Sequence, residues 1–362
     1  MRSMTTSQNL DAAVASAQAE SNSTGPGPAS VVRAAAQAGP PFVAALPSSG
    51  ALLLTGSDAR SFLQGQLAND VNGIQAGEAG RSLLLNHRGH AMAEAAVVRV
   101  ADGMLCVVDD DRLEWVAETL ERHIVFDDVE LARPAVAVLT LQGSRATETL
   151  AAAGFAGPGV AGDDGVHVYQ SRRSAAGGFD LAVIGGDIDE LLAQLVRAGA
   201  AAASDEDLAT ARVAALIPTA AGEGGAGVLP QEAGLEPLIS YRKGCYLGQE
   251  MMARIEARGN LRRELAVLQL SEAPTLAAEL SSNGEAQSRQ PAPGSQHGSA
   301  ADQRTIFADG KKVGVLGTVA QMPDGTTRAL CVLRREVEPT TELSVAGVRA
   351  NRLAISTPIM PV

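Results

Sequence analysis

The segment Tyr241-Arg242-Lys243-Gly244-Cys245-Tyr246-Leu247-Gly248-Gln249-Glu250 gathers residue types able to do chemistry. Two glycines bracket a cysteine, and two cations precede it. Residues 251–257 have helical character and Gly259 is a natural stop, so Cys245 is expected on a loop just ahead of a helix N-terminus. Free amides at such a terminus favour an anion, and Arg242 and Lys243 add positive charge. That setting favours the thiolate, the form of cysteine that attacks electrophiles and binds metals. Gly244 and Gly248 allow unusual backbone angles or the close approach of a ligand. Arg254, Arg258 and Arg262 recur every four residues, a stripe suited to carboxylates or phosphate. The competing reading is a buried cysteine in a glycine turn beside a solvated basic face. The density of unusual residues favours the functional one.

Other candidates are weaker. His87 and His90 lie either side of Gly89 with no third ligand nearby, so a turn or surface role is expected. Cys106 and Cys331 sit in apolar runs and are expected in the core. Cys245 alone cannot hold an iron–sulfur cluster, so no permanently bound metal is expected. Gly185-Gly186-Asp187 lacks the dinucleotide-binding pattern. Residues 222–227 form a glycine-rich stretch expected to be a loose loop.

The elements that must position these residues alternate. Residues 51–55 suit a strand, and Ser57 a cap for a helix carrying Phe62, Leu63 and Leu67. Residues 83–85 and 95–100 suit a hairpin around Asn86-His87-Arg88-Gly89-His90. Further strands are expected at 104–108, 136–141 and 179–184, and helices after Asp111 and from Ile188. From Arg263 the helical period stops, and 265–270, 312–320, 328–333 and 343–353 suit strands. The predicted class is α+β. The expected organisation is a disordered Ala/Ser/Gly-rich tail over 1–46, a region of two α+β subdomains over 47–262, and a β domain over 263–362 with a flexible insertion at about 281–303.

With 29 Lys and Arg against 41 Asp and Glu, the net charge is −12, and aromatics are 3%. Both disfavour direct nucleic-acid binding. Three cysteines without a CxxC pair fit a reducing compartment. No apolar run reaches 18 residues and no signal-peptide core is present. A cytoplasmic protein without a membrane partner is expected.

Lys243-Gly244-Cys245-Tyr246-Leu247-Gly248-Gln249-Glu250 resembles the KGC-x-x-GQE signature of the YgfZ family. Leu229-Pro230-Gln231-Glu232, Ala253-Arg254 and residues 57–71 resemble the same family pattern. Members are similar in fold to the folate-dependent aminomethyltransferase, or T-protein, of glycine cleavage. The resemblance implies a multi-domain T-protein-like fold around a central cavity, folate binding in the first region and a C-terminal β-barrel. It implies an accessory role in assembly or repair of iron–sulfur proteins, some of them in tRNA modification, with such proteins as partners. It points to Cys245 as the functional thiol. Lys243, Gly244, Tyr246, Gly248, Gln249, Glu250, Arg254 and Glu232 would serve folate or the motif, with Arg254 as the carboxylate contact.

Two departures bear on activity. The T-protein's acidic pair in the hairpin strand falls on Ala93 and Glu94, and its pterin-contacting glutamate falls on Ala214. Aminomethyl transfer is therefore the alternative rather than the leading expectation, because a base must lie within reach of the reacting nitrogen. A thiol enzyme using Cys245 would need a base such as His87 or His90.

Overall fold

The computed structural model describes residues 40–46, 49–75, 78–108, 112–160, 165–225, 227–259, 261–276 and 303–354. Residues 1–39 of the expected tail, and all of the expected insertion except Gln303, lie outside them.

A five-stranded sheet runs in the order β3 (Ala79–Leu85), β4 (Ala91–Val100), β5 (Gly103–Val108), β2 (Gly50–Thr55), β6 (Glu130–Ala132). Its strands alternate two apolar faces. Leu52, Leu54, Val97 and Cys106 meet Phe62 and Leu63 of α1 (Ala59–Gln66) and Val116 and Leu120 of α2 (Leu113–Glu121). Ala51, Val98, Leu105 and Val107 meet Val138, Tyr169 and Ala182 of a second sheet. Burial on both sides explains why these strands lack polar alternation.

The second sheet has the order β11 (Ala201–Ala202), β1 (Phe42–Ala45), β7 (Val136–Gln142), β10 (Gly178–Ile184), β9 (Val166–Ser171), β8 (Gly159–Val160). Helices α3 (Ala146–Ala152) and α4 (Ile188–Arg197) cover its outer face through Leu150, Leu191, Leu192 and Leu195. The result is a helix–sheet–sheet–helix sandwich. The tail boundary needs correction here: Phe42–Ala45 is a fully buried strand, paired antiparallel to β7 and parallel to β11. Ala- and Pro-rich surroundings mask this four-residue apolar run in the sequence.

Helix α5 (Asp205–Ala215) joins the sandwich to the barrel. Ser204 and Asp207 form a capping box at its start. Leu208 and Ala211 pack on Phe42 and Ala44, while Val213 packs on Leu265, Val267 and Leu330.

The barrel closes in the order β12 (Arg263–Leu270), β15 (Thr327–Arg334), β14 (Lys311–Gln321), β13 (Thr305–Ala308), β16 (Leu343–Val345), β17 (Val348–Leu353). The run expected as one strand over 343–353 is a hairpin. Ala346 and Gly347 both have positive φ, 48° and 81°, the backbone that a tight two-residue turn requires. Ser57 caps no helix; its amide and hydroxyl donate to Asp128 Oδ2 at 3.0 and 2.9 Å.

Candidate functional site

A buried hub joins the first sheet to the barrel through the segment that carries Cys245. Leu83, Leu85 and Ala91 of the hairpin, Leu235 and Ile239, Tyr246 and Met252, and Val332 of the barrel pack together. Helix α6 (Gln249–Arg258) ends at Gly259 in the left-handed conformation, as the sequence predicts. Ahead of it, the Cys245 loop lies across this hub.

Three anchors fix that loop. The Lys243 ammonium donates to the carbonyls of Gln64 and Leu67, each at 2.6 Å, and of Asn69 at 2.9 Å. These lie at and just beyond the C-terminal end of α1, where carbonyls lack helical partners and the dipole favours a cation. Burial pulls the Lys243 pKa down to about 8. Tyr246 is buried, with Lys243 Nζ 5.2 Å from its ring centre, and burial pushes its phenol up to about 12. Gly248 has φ 84°, and a Cβ there would fall 2.9 Å from the Asn86 carbonyl. Gly244 differs: its φ is not positive, and a methyl group added there would meet nothing within 4 Å. Space, rather than backbone strain, distinguishes it.

Cys245 is exposed, whereas Cys106 and Cys331 are buried. Proximity in sequence suggests that Lys243 balances charge beside the thiol; the structure instead commits that ammonium to α1. Replacing Lys243 by Met should leave three carbonyls without their donor. The expected cost is about 2–3 kcal/mol, the scale of a lost charge-assisted bond plus desolvation. Urea unfolding checks this, and an unchanged midpoint would refute the clamp.

The hairpin turn reaches the same place. A Cβ on Gly89 would lie 2.5 Å from Met252 Cε and 3.0 Å from Met251 Cγ. His90 Nδ1 accepts from the Gly227 amide at 3.0 Å, which assigns the remaining ring proton to Nε2. Burial, then the charges of Arg88 and Arg263, lower its pKa. His90 therefore pins the glycine-rich stretch, and Nδ1 is not available as a base for Cys245. The described part of that stretch is held at several points. Gly225 N donates to Ala91 O at 3.0 Å, and the Glu223 carboxylate accepts from Thr219 N, Thr318 N and Thr318 Oγ1 at 2.7–2.8 Å.

Glu94 does not stand ready as a base. Only 3% exposed, its carboxylate is ion-paired to Arg81 and accepts from Ala220 N at 3.3 Å. Ala214 lies on the exposed side of α5.

Glu232 is also buried and paired, with Arg263 at 2.6 Å. The pair lies at a cleft of about 680 Å³ between the Glu232 segment and the barrel. Leu261, Val313 and Val315 give the cleft apolar wall, and Arg262, Arg263, Lys312, Arg334 and Arg335 give it charge. Arg254 takes no part: it is half exposed and pairs with Glu250 at 3.0 Å on the surface of α6. The helical stripe ends because the helix does, and Arg262, beyond Gly259, lines the cleft instead. Gln249 is half-buried at the start of α6. Among the described residues no group of three or more His, Cys, Asp and Glu is placed to hold a metal ion.

A two-sheet sandwich joined to a closed barrel by α5 and by the hub is an aminomethyltransferase-like fold. The glycine cleavage system aminomethyltransferase T from Bartonella henselae shares this fold, with a TM-score of 0.69 over 91% of this chain and 89% of that one, at 18% identity. A family model described as the GCVT N-terminal domain matches residues 46–243, and the chain belongs to that family. It is 27% identical over 312 residues to the tRNA-modifying protein YgfZ of Vibrio vulnificus strain CMCP6, covering 84% of this chain and 88% of that relative. It is 26% identical over 327 residues to the aminomethyltransferase of Exiguobacterium sibiricum, covering 85% and 83%. The resemblance read from the 243–250 signature and the expected fold class both hold. No described helix is long and apolar enough to cross a membrane.

Proposed function

We propose that this chain is a folate-binding accessory factor for assembly or repair of iron–sulfur proteins, including proteins of tRNA modification, and that it acts through Cys245. The observation that carries this reading is the contrast between the two candidate groups. Cys245 is exposed on a loop clamped by Lys243, Tyr246 and Gly248. Glu94, the one carboxylate left from the acidic pair, is sequestered by Arg81. A rigidly held thiol suits transient contact with soft metal or sulfur centres, and one such ligand needs a partner to complete any cluster.

Folate fits the residues present in one respect and not in another. The cationic cleft has the size of a small-ligand site and the charge to receive folate carboxylates. The pterin-reading glutamate is absent, since Ala214 stands there on an exposed helix face. Affinity below that of an aminomethyltransferase follows.

The test uses a strain deleted for this gene. Cys245→Ala should fold normally, bind 5-formyltetrahydrofolate as the parent protein does, and fail to restore iron–sulfur enzyme activity. The parent protein should show no aminomethyl transfer in a reconstituted glycine-cleavage assay. Full rescue by Cys245→Ala, or robust turnover, overturns the reading.

A further inference from the structure

The loop between α2 and β6 holds an apolar tip in open water. Phe126 is 98% exposed and Val125 66%. Their neighbours do the reverse: Ile124 and Val129 pack against the core of the first sheet. The loop is also pinned. Asp58 N donates to Asp128 O at 3.2 Å, Asp128 N donates to Asp58 Oδ2 at 2.9 Å, and Ser57 donates to the Asp128 carboxylate. Gly56 passes so close that a Cβ there would fall 2.1 Å from the Asp128 carbonyl oxygen. Anchors on both sides present Phe126 outward instead of leaving it to collapse onto the sheet. An exposed phenyl ring gains nothing from burial on folding, and a ring held ready in this way loses little freedom when something covers it. Both facts point to a partner that covers it.

The surroundings define the chemistry of that partner. Asp127, Asp128 and Glu130 follow the ring closely, and the carboxylates of Asp127 and Glu130 make no hydrogen bond or ion pair among the described residues. The neighbouring cations are engaged: Arg133 with Glu121 at 2.8 Å and Glu114 at 3.4 Å, and Arg122 through Nε with the Glu118 carbonyl at 3.0 Å. An anionic rim repels acidic lipid headgroups and the like rim of a second copy, and it complements lysine or arginine. Helix α1 relates the tip to the thiol. Asp58, bound to Asp128, precedes its first turn, while Lys243 ties the Cys245 loop to carbonyls at its other end. Its eight residues rise about 12 Å, and a standard interface patch of about 800 Å² per partner is roughly 30 Å across, so one bound protein has the span to meet both. We propose that Val125 and Phe126 form a docking knob for a client protein that presents an apolar pocket edged with lysine or arginine. The proposal rests on the accessory reading above and says how the client is held while Cys245 acts.

Rescue and crosslinking together test this. In the strain deleted for this gene, Phe126→Ser at native expression should restore less than about a tenth of the iron–sulfur enzyme activity, the scale of loss expected for a central aromatic anchor. Raising its expression about tenfold should recover most of that activity, because mass action offsets weak docking. Cys245→Ala should stay inactive at either level. Purified Phe126→Ser should keep the parent's urea midpoint and Cys245 alkylation rate. In cells, p-benzoylphenylalanine in place of Phe126 should crosslink the iron–sulfur enzyme whose activity is restored, and Asp127→Lys should cut that yield at least about threefold. Full restoration by Phe126→Ser at native expression overturns the inference and, with Cys245→Ala still inactive, leaves the accessory reading standing. Crosslinks confined to this chain would assign the knob to a second copy or to the chain's own termini. Flotation with phosphatidylcholine vesicles that Phe126→Ser abolishes would assign it to lipid. Either result overturns the proposal. If Cys245→Ala restores activity fully, the thiol reading fails, and the docking assignment survives only if the crosslink to the enzyme forms and Asp127→Lys weakens it.

Discussion

Iodoacetamide at pH 8 should modify Cys245 in the native protein and leave Cys106 and Cys331 untouched. Cys106 lies in β5 between the first sheet and its helices, and Cys331 lies in the barrel core; burial pushes both thiols up to about 12. A thiol with that pKa is thiolate in only about one molecule in ten thousand at pH 8. The scarcity of thiolate slows both buried cysteines, and the core around them also blocks the reagent. Intact mass should show one adduct on the native chain and three after denaturation in guanidinium. A second native adduct formed at a comparable rate would show that the barrel or the first sheet opens readily. An unreactive Cys245 would contradict its exposed position. Because α6 and the Lys243 clamp hold the loop, labelling should also leave the unfolding midpoint nearly unchanged. Gly244 leaves open space beside the thiol that an adduct, or a natural partner, can occupy.

The fold is legible in the sequence where one residue pattern has one structural meaning. The 243–250 signature, the hairpin around Asn86 and the stop at Gly259 are local, and the structure places the loop, turn and helix end accordingly. Pairing across distance is what a linear pattern does not carry. Lys243 and Cys245 are two residues apart, which suggests a cation beside the thiol; the ammonium turns instead to carbonyls some 175 positions upstream. Glu94 and Arg81 are thirteen residues apart on neighbouring strands, and only the β3–β4 register brings them together. Arg254 follows the helical period, yet the period ends at Gly259 and the cleft draws its charge from strand ends. A signal for that cleft does exist. Basic pairs at 262–263, 311–312 and 334–335 mark the ends of three barrel strands that are consecutive around the barrel, although those segments are far apart in the chain.

Glu94→Gln should destabilise the protein by about 3–5 kcal/mol, the cost of removing one partner from a buried ion pair. The reason lies in what is left behind. Arg81 is 12% exposed on β3, and without the carboxylate its charge has no compensating partner across the strand. The Ala220 amide would also lose its anionic acceptor, loosening the start of the glycine-rich stretch. The double variant Arg81→Met/Glu94→Leu should recover most of that loss, because replacing both charges with apolar groups of similar size removes the desolvation penalty as well as the attraction. Some deficit should remain, about 1 kcal/mol, from the unpaired Ala220 amide. Urea unfolding of Arg81→Met, Glu94→Leu and the double variant forms the required cycle, with a coupling energy of several kcal/mol expected. The same cycle separates structure from catalysis. If Glu94 holds the hub together, the double variant regains both stability and the ability to restore iron–sulfur enzyme activity. If Glu94 is a general base, the double variant regains stability while activity stays lost, and Glu94→Gln alone abolishes activity even under conditions where it is fully folded. The observed pairing of Glu94 with Arg81, rather than its mere presence in the hairpin strand, is what favours the first outcome.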